Sequence, residues 1–117
     1  MRAYEIMVIV DAQLDDQEIG AVIDRGAQQI EAAGGRIAKL DRWGRRRLAY
    51  EINHKSEGYY AVYEVIGGHS AIEGVDRSFR LADEVIRHKV LRLPDTEAAR
   101  RGLFEEAPAT AGEAESE

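Results

Sequence analysis

Apolar residues in this chain switch between a period of two and a period near 3.6, and the order of those switches leaves few folds open. At residues 4–10, Tyr4, Ile6, Val8 and Val10 alternate with Glu5, Met7 and Ile9, which predicts a strand with one strongly buried face. The period then changes. Ile19, Val22, Ile23, Ala27 and Ile30 recur at intervals of three and four, the stripe of an amphipathic helix running to about Ala33. Asp15 with Glu18 predicts a capping box at its start, and Gly34-Gly35 a left-handed stop at its end. Residues 36–52 read as extended again, with Gly44 marking a bulge or bend. A turn over 53–58 leads into a strand over 59–66, with Tyr59, Ala61, Tyr63 and Val65 on one face. Gly67-Gly68 breaks it. Ser70 with Glu73 repeats the capping-box pattern, and Ile72, Val75, Phe79 and Ala82 form a second helical stripe. A last strand covers Val85–Leu93, and Pro94, which has no amide hydrogen, ends it.

The order is β-α-β-β-α-β. Right-handed crossovers interleave its two halves into an α+β, ferredoxin-like fold: a four-stranded antiparallel sheet with both helices on one face. Residues 1–94 form this single domain. Residues 95–117 read as an acidic, disordered C-terminal tail, with room for a short helix over 98–104 and disorder beyond Pro108. That tail carries seven acids and two bases, so it supplies -5 of the chain's net charge of -6. The domain itself is close to neutral, and local clustering of charge decides what it can bind.

The helices leave the second sheet face open. Tyr4, Ile6, Val8 and Val10 face the helices, joined from the last strand by Ile86, His88 and Val90. Val85, Arg87, Lys89 and Leu91 then point outward with Met7, Ile9, Tyr60 and Val62. A sheet face this apolar predicts contact with another macromolecule.

Several chemistries are excluded. There is no cysteine, so disulfides, zinc-thiolate sites and thiol catalysis fall away. No run approaches the roughly 18 apolar residues of a transmembrane helix, and Glu5 and Asp11 interrupt any signal-peptide core, so no membrane partner is expected. His54, His69 and His88 are not at ligand spacing, and no metal or cofactor is expected. Asp11, Asp15 and Asp16 follow the first strand, where an acylphosphatase-type enzyme would need a phosphate-binding loop; they repel anions instead. No Gly-rich phosphate loop, nucleophile elbow or Ser-His-Asp set is present, so neither catalysis nor a small-molecule substrate is expected.

The remaining signal is basic and aromatic. Arg42, Arg45, Arg46 and Arg47 lie beside Trp43 and Tyr50 in a long hairpin. Charges on an edge strand guard against sheet-to-sheet pairing. Arginine next to aromatic rings adds a recognition role, because guanidinium groups pair with phosphates and stack on bases. The strand containing Tyr59, Tyr60 and Tyr63 matches the RNA-recognition motif poorly, since Glu57 stands where a basic residue is needed and the small and aromatic positions are swapped. Arg77 and Arg80, beside Asp76, Asp83 and Glu84, read as local ion pairs; Arg87 and Lys89 share one strand face.

Taken together, Arg2-Ala3-Tyr4-Glu5 after Met1, Trp43-Gly44-Arg45-Arg46-Arg47-Leu48-Ala49-Tyr50, Gly58-Tyr59-Tyr60 and Val85-Ile86-Arg87-His88 resemble the S-six family of bacterial small-subunit ribosomal proteins, in order and spacing over residues 1–94. Glu51 departs from the pattern, where the family often has proline. The resemblance implies a structural protein of the cytoplasmic ribosome. It implies binding to the central domain of small-subunit rRNA together with the strongly basic ribosomal protein S-eighteen. Matching positions place Arg45, Arg46, Arg47 and Tyr50 at or near that RNA and partner surface, with Arg42 and Trp43 alongside, and Arg2, Arg87, Lys89 and Arg92 as further contacts. The alternative is a ferredoxin-like small-molecule-sensing dimerisation domain. It would need a pocket lined by glycine turns, whereas Gly34-Gly35 and Gly67-Gly68 are accounted for as element ends.

Overall fold

The structure, a computed structural model, describes residues 2–104. Strand β1 (Arg2–Asp11) leads to helix α1 (Asp16–Ala32), then to strands β2 (Arg36–Ile52) and β3 (Lys55–Gly67). Helix α2 (His69–Leu81), strand β4 (Val85–Leu93) and a short helix α3 (Asp95–Arg100) follow. The sheet order is β2-β3-β1-β4 with every neighbouring pair antiparallel, so the fold is the expected ferredoxin-like one.

Period-two alternation puts Tyr4, Ile6, Val8 and Val10 of β1 and Ala61, Tyr63 and Val65 of β3 on the helix side. There they meet Ile19, Val22, Ile23 and Ile30 of α1 and Ile72, Val75 and Phe79 of α2 in one core. The Tyr63 hydroxyl, buried in that core, donates to the Ile23 carbonyl at 2.7 Å, which satisfies a polar atom that would otherwise be costly. Burial pushes the Tyr63 phenol well above the ordinary tyrosine range, so it remains a donor.

Helix α1 begins with the expected capping box: Glu18 N–H donates to Asp15 at 2.8 Å, and Asp15 N–H to the Glu18 carboxylate at 3.2 Å. It ends in a Schellman motif. Gly35 N–H reaches the Ile30 carbonyl and Gly34 N–H the Glu31 carbonyl, with Gly34 at φ 95°. Helix α2 differs from expectation. Ser70 and Glu73 make no capping box; the helix starts at His69 with Gly68 as its N-cap and no side-chain cap. Ser70 therefore already lies within the first turn, where its backbone is helical and it cannot serve as the flanking cap residue.

Two strand details also differ. The register between β1 and β4 shifts at Ile9/Val10, so Arg87 faces Ile9 while Val85 faces Val10. Ile86 is the extra residue of this bulge, and Val85, not Ile86, packs on the helix-side core. The hairpin turn is tighter than 53–58. Asn53 and His54 alone make it, both at positive φ, and Ile52 already pairs with Lys55.

The first part of the tail is ordered. Helix α3 lies on the sheet face opposite α1 and α2, where Ala98 and Leu103 close over Ala3, Ile66 and Leu93. Arg101 reaches Glu64 at 2.9 Å and Glu5 at 3.1 Å on that face, and Glu97 at 2.6 Å. Acidic composition predicts a solvated chain from Asp95, but residues 95–104 are seated by Ala98 and Leu103, by Arg101 and by Arg36 of β2, which donates to the Leu103 carbonyl at 2.8 Å. The stretch beyond Pro108, expected to be disordered, lies outside the described residues, as does Met1.

Candidate functional site

Gly44, at φ 90°, sits in a bulge at Arg42/Gly44 that sets the directions of the arginines around it. On one side of the bulge Arg42 faces Ala61, and on the other Arg45 faces Tyr59, so both turn toward the helices. Arg42 pairs with Asp24 of α1 at 3.1 Å. Arg45 pairs with Asp16 at 2.8 Å and donates to the Ala12 and Leu14 carbonyls at 3.4 and 3.3 Å. Trp43 and Arg46 go the other way. Trp43 stacks on Tyr60, centroids 6.0 Å apart and planes 11° off parallel, and the Arg46 guanidinium lies 5.0 Å over the indole. The run Arg45-Arg46-Arg47 is thus not one patch. Arg45 holds the β1–α1 loop, Arg46 belongs to an exposed stack, and Arg47 is exposed opposite Glu57.

Beyond Arg47 the hairpin curls over the open face. Residues 48–51 leave the ladder, and Leu48 comes down above Gly58 toward Ile9. Gly58 is required there, since a Cβ would fall 2.2 Å from the Ile9 Cγ2 methyl. The curl brings Tyr50 to β4, where its hydroxyl accepts from Arg87 at 3.1 Å. Beneath it lies a cleft of about 550 Å³, lined by Met7, Ile9, Leu48, Tyr50, Arg87 and Lys89 among others. At the foot of the hairpin Lys55 pairs with Asp11 at 3.1 Å and donates to Gln13 at 2.9 Å. Partial burial opposes ionisation of Asp11. The Gln13 N–H and the Lys55 ammonium outweigh it and hold that carboxyl below its usual range.

The open face is therefore divided. Helix α3 occupies one end, the curled hairpin the other, and Trp43, Tyr60, Lys89 and Leu91 lie between. Trp43 is 43% exposed, Tyr50 63% and Leu91 44%, an unusual concentration of large apolar surface. Arg87 and Lys89 face out here as expected, opposite Ile9 and Met7. Arg92 does not join them. It pairs across the strand with Tyr4 and so lies on the helix side, as does Arg2 two residues before Tyr4.

Sequence reasoning missed one cation and paired another wrongly. Lys39 stands opposite Glu64 and so reaches the open face beside Trp43; strand parity carried through the β2 bulges would have found it. Arg77 has no ion-pair partner among the described residues, although Arg80 does pair with Asp76 at 2.5 Å. Only the fold shows that Asp76 is already taken by Arg80 and by His88, the latter at 2.7 Å. Among the described residues no group of three or more His, Asp or Glu side chains is placed to hold a metal ion.

A four-stranded sheet with helices on one side and an aromatic, arginine-bearing face on the other defines a ferredoxin-like recognition module. Residues 3–92 match the family model described as Ribosomal protein S6. The small ribosomal subunit protein bS6 of Salinispora tropica is 47% identical over 92 residues, covering 79% of this chain and 96% of that one. The Nocardia farcinica protein of the same name is 44% identical over 92 residues, covering 79% and 97%. The crystal structure of 30S ribosomal protein S6 from Thermotoga maritima superposes with a TM-score of 0.79 at 30% identity, covering 87% of this chain and 96% of that one. The chain belongs to the ribosomal protein S6 family.

Proposed function

We propose that this chain is a structural, non-catalytic component of the small ribosomal subunit in the cytoplasm, binding the central domain of small-subunit rRNA together with ribosomal protein S-eighteen. Residues 1–94 are the recognition domain, and the acidic segment from Asp95 is an accessory to it. Membership of the S6 family supports the ribosomal assignment. The observation that carries the shared mode of binding is the open face itself. Its cleft joins apolar walls at Met7, Ile9 and Leu48 to cations at Arg87 and Lys89. Apolar surface suits a protein partner, and a rim of cations suits nearby phosphate.

The mechanism is assembly. A rigid sheet docks a basic protein, and the pair together tethers to RNA phosphates, with counterion release making the complex sensitive to salt. The test is binding of the full chain to a central-domain rRNA fragment, with and without S-eighteen, across a salt series. Tight, salt-sensitive binding only in the presence of the partner is expected. Tight binding by the chain alone would make it an independent RNA binder. Absence of binding in both arms would overturn the reading.

A further inference from the structure

Helix α3 covers part of the face to which a protein partner is assigned, and strand β1 shows how much. With Tyr4, Ile6, Val8 and Val10 in the core, its outward residues are Ala3, Glu5, Met7 and Ile9. Ala3 lies under Ala98 and Leu103, and Arg101 bridges Glu5. Ile9, 3% exposed, is closed off beside Gly58 where Leu48 of the hairpin comes down. Only Met7 is left partly open. On β3, Ile66 lies under α3 and Glu64 is bridged by the same Arg101. A stable protein interface takes about 20–30 residues from each side. The strip between the two covers offers Met7, Trp43, Tyr60, Val62, Lys89 and Leu91, so a partner centred on it must reach a cover.

The two covers are held differently. The hairpin continues the β2–β3 ladder, which pairs Ile52 with Lys55 at its turn. Helix α3 has six residues, no side-chain cap, and a length at which an isolated helix does not persist in water. It also lies beyond residue 92, where the match to the family model ends. Its ties are two small apolar contacts, the Arg101 ion pairs and the Arg36 hydrogen bond to the Leu103 carbonyl. Of the two covers, α3 is the one that can leave without disturbing the sheet.

We infer that residues 95–104 are an autoinhibitory strap, seated on the open face of the free chain and displaced when a basic protein partner docks there. This rests on the protein-partner reading above and adds regulation to it. The partner's chemistry follows from what the strap leaves behind. Glu5 and Glu64 stand directly opposite each other on β1 and β3, with side chains 29% and 15% exposed. Like charges opposed in this way repel, and a cation between them removes the conflict. Arg101 is that cation in the closed chain. A partner that displaces it must bring its own lysine or arginine to the same place, with apolar side chains over Ala3, Ile66 and Leu93. A partner without such a cation would leave two partly buried carboxylates unpaired, so the strap selects for basic partners as well as limiting access.

The test uses the full chain and S-eighteen as the basic partner, without RNA. Arg101→Ala/Leu103→Ala removes the ionic and the apolar tie of the strap and leaves Glu5, Glu64 and the strip between the covers unaltered. Its apparent dissociation constant for S-eighteen should fall by about tenfold, because a docking-competent state that is only a minor fraction weakens apparent binding by that fraction. In the unaltered chain, amide exchange at Ala98 and Leu103 should quicken when S-eighteen is added, since docking and a seated strap exclude each other. Unchanged or weaker binding by the variant would overturn the inference, the weaker result making α3 part of the partner's footprint. Protection at Leu103 that persists in the complex would equally overturn it, and would leave the partner reading intact. If neither the unaltered chain nor the variant binds S-eighteen, the partner reading itself fails and the strap's role falls with it.

Discussion

The Arg46 guanidinium lies 5.0 Å over the Trp43 indole, while the adjacent Arg45 points through the sheet edge to Asp16 at 2.8 Å. Neighbours in sequence therefore have different jobs. Arg46→Ala combined with Arg47→Ala should leave unfolding within about 0.5–1 kcal/mol of the parent, since an exposed cation–π contact contributes no more than that. It should weaken assembly with the partner and RNA. Arg45→Ala should show the reverse: a loss of about 1 kcal/mol in stability, from an exposed ion pair and two backbone hydrogen bonds, with assembly unchanged. Urea unfolding and binding measured on the same preparations separate the two. Equal effects of both variants on binding would contradict the assignment.

Two glycines inside α1 should respond differently to alanine. At Gly20 an added Cβ meets nothing closer than an Arg42 nitrogen at 3.8 Å, so Gly20→Ala should stabilise by up to about 1 kcal/mol through helix propensity. At Gly26 the Cβ would stand 2.7 Å from both the Phe79 ring and the Tyr63 hydroxyl oxygen. Tyr63 is held by its hydrogen bond to Ile23 and cannot swing aside without losing it. Overpacking of this kind costs about 1–3 kcal/mol, which cancels or exceeds the propensity gain. Gly26→Ala should therefore fail to stabilise and more readily destabilise. Thermal unfolding should shift upward for Gly20→Ala and stay level or shift downward for Gly26→Ala.

Asp11 gives the fold an acid-sensitive tie. Partial burial works to raise its folded pKa, but the Gln13 N–H and Lys55 outweigh that and hold it below the unfolded value. A depressed carboxylate stabilises fully above its unfolded pKa, about 3.9, and that contribution is lost as pH falls through the folded value. Lys55→Met should reduce stability at neutral pH and make it less steeply dependent on pH below about 4. Chemical unfolding midpoints between neutral pH and about pH 2–3 would check this. Parallel curves for parent and variant would contradict it.

Arg101 holds α3 to the sheet through Glu5, Glu64 and Glu97. The Arg100 and Arg101 hydrogen bonds to Glu97 hold that carboxyl below its usual range, and the same network raises the Arg101 guanidinium. Arg101→Ala should release the segment without unfolding the domain, because the main core lies on the opposite face. Hydrogen exchange should then quicken at Leu103 and Ala98, whose amides donate to the Ala98 and Pro94 carbonyls. Protection in the four sheet strands should be unchanged. Unaltered protection at Leu103 would mean that Ala98, Leu103 and the Arg36 hydrogen bond to the Leu103 carbonyl seat the helix without Arg101.

Most of the architecture was legible because it depends on local period. Tyr4 to Val10, Ile19 to Ile30 and Tyr59 to Val65 each bury the face their spacing predicts. The Asp15–Glu18 box and the Gly34-Gly35 stop were legible for the same reason: their partners lie within five residues. The errors came where an offset of one or two residues mattered. Val85 took the helix-side place expected of Ile86 through a bulge, and Ser70 fell inside a helix that began two positions early. Period alone does not reveal an inserted residue.

By itself the sequence determined the order of elements, the buried stripes and the presence of arginines beside aromatic rings, because these follow from side-chain chemistry and short-range geometry. Only the tertiary structure decided which arginines are free. Arg42 and Arg45 meet Asp24 and Asp16, residues 18 and 29 positions away, whereas Arg77 loses its apparent partner Asp76 to Arg80 and His88. Whether a charge is satisfied depends on what the rest of the chain brings within a few ångströms of it, and that is set by crossovers and bulges rather than by neighbours in sequence.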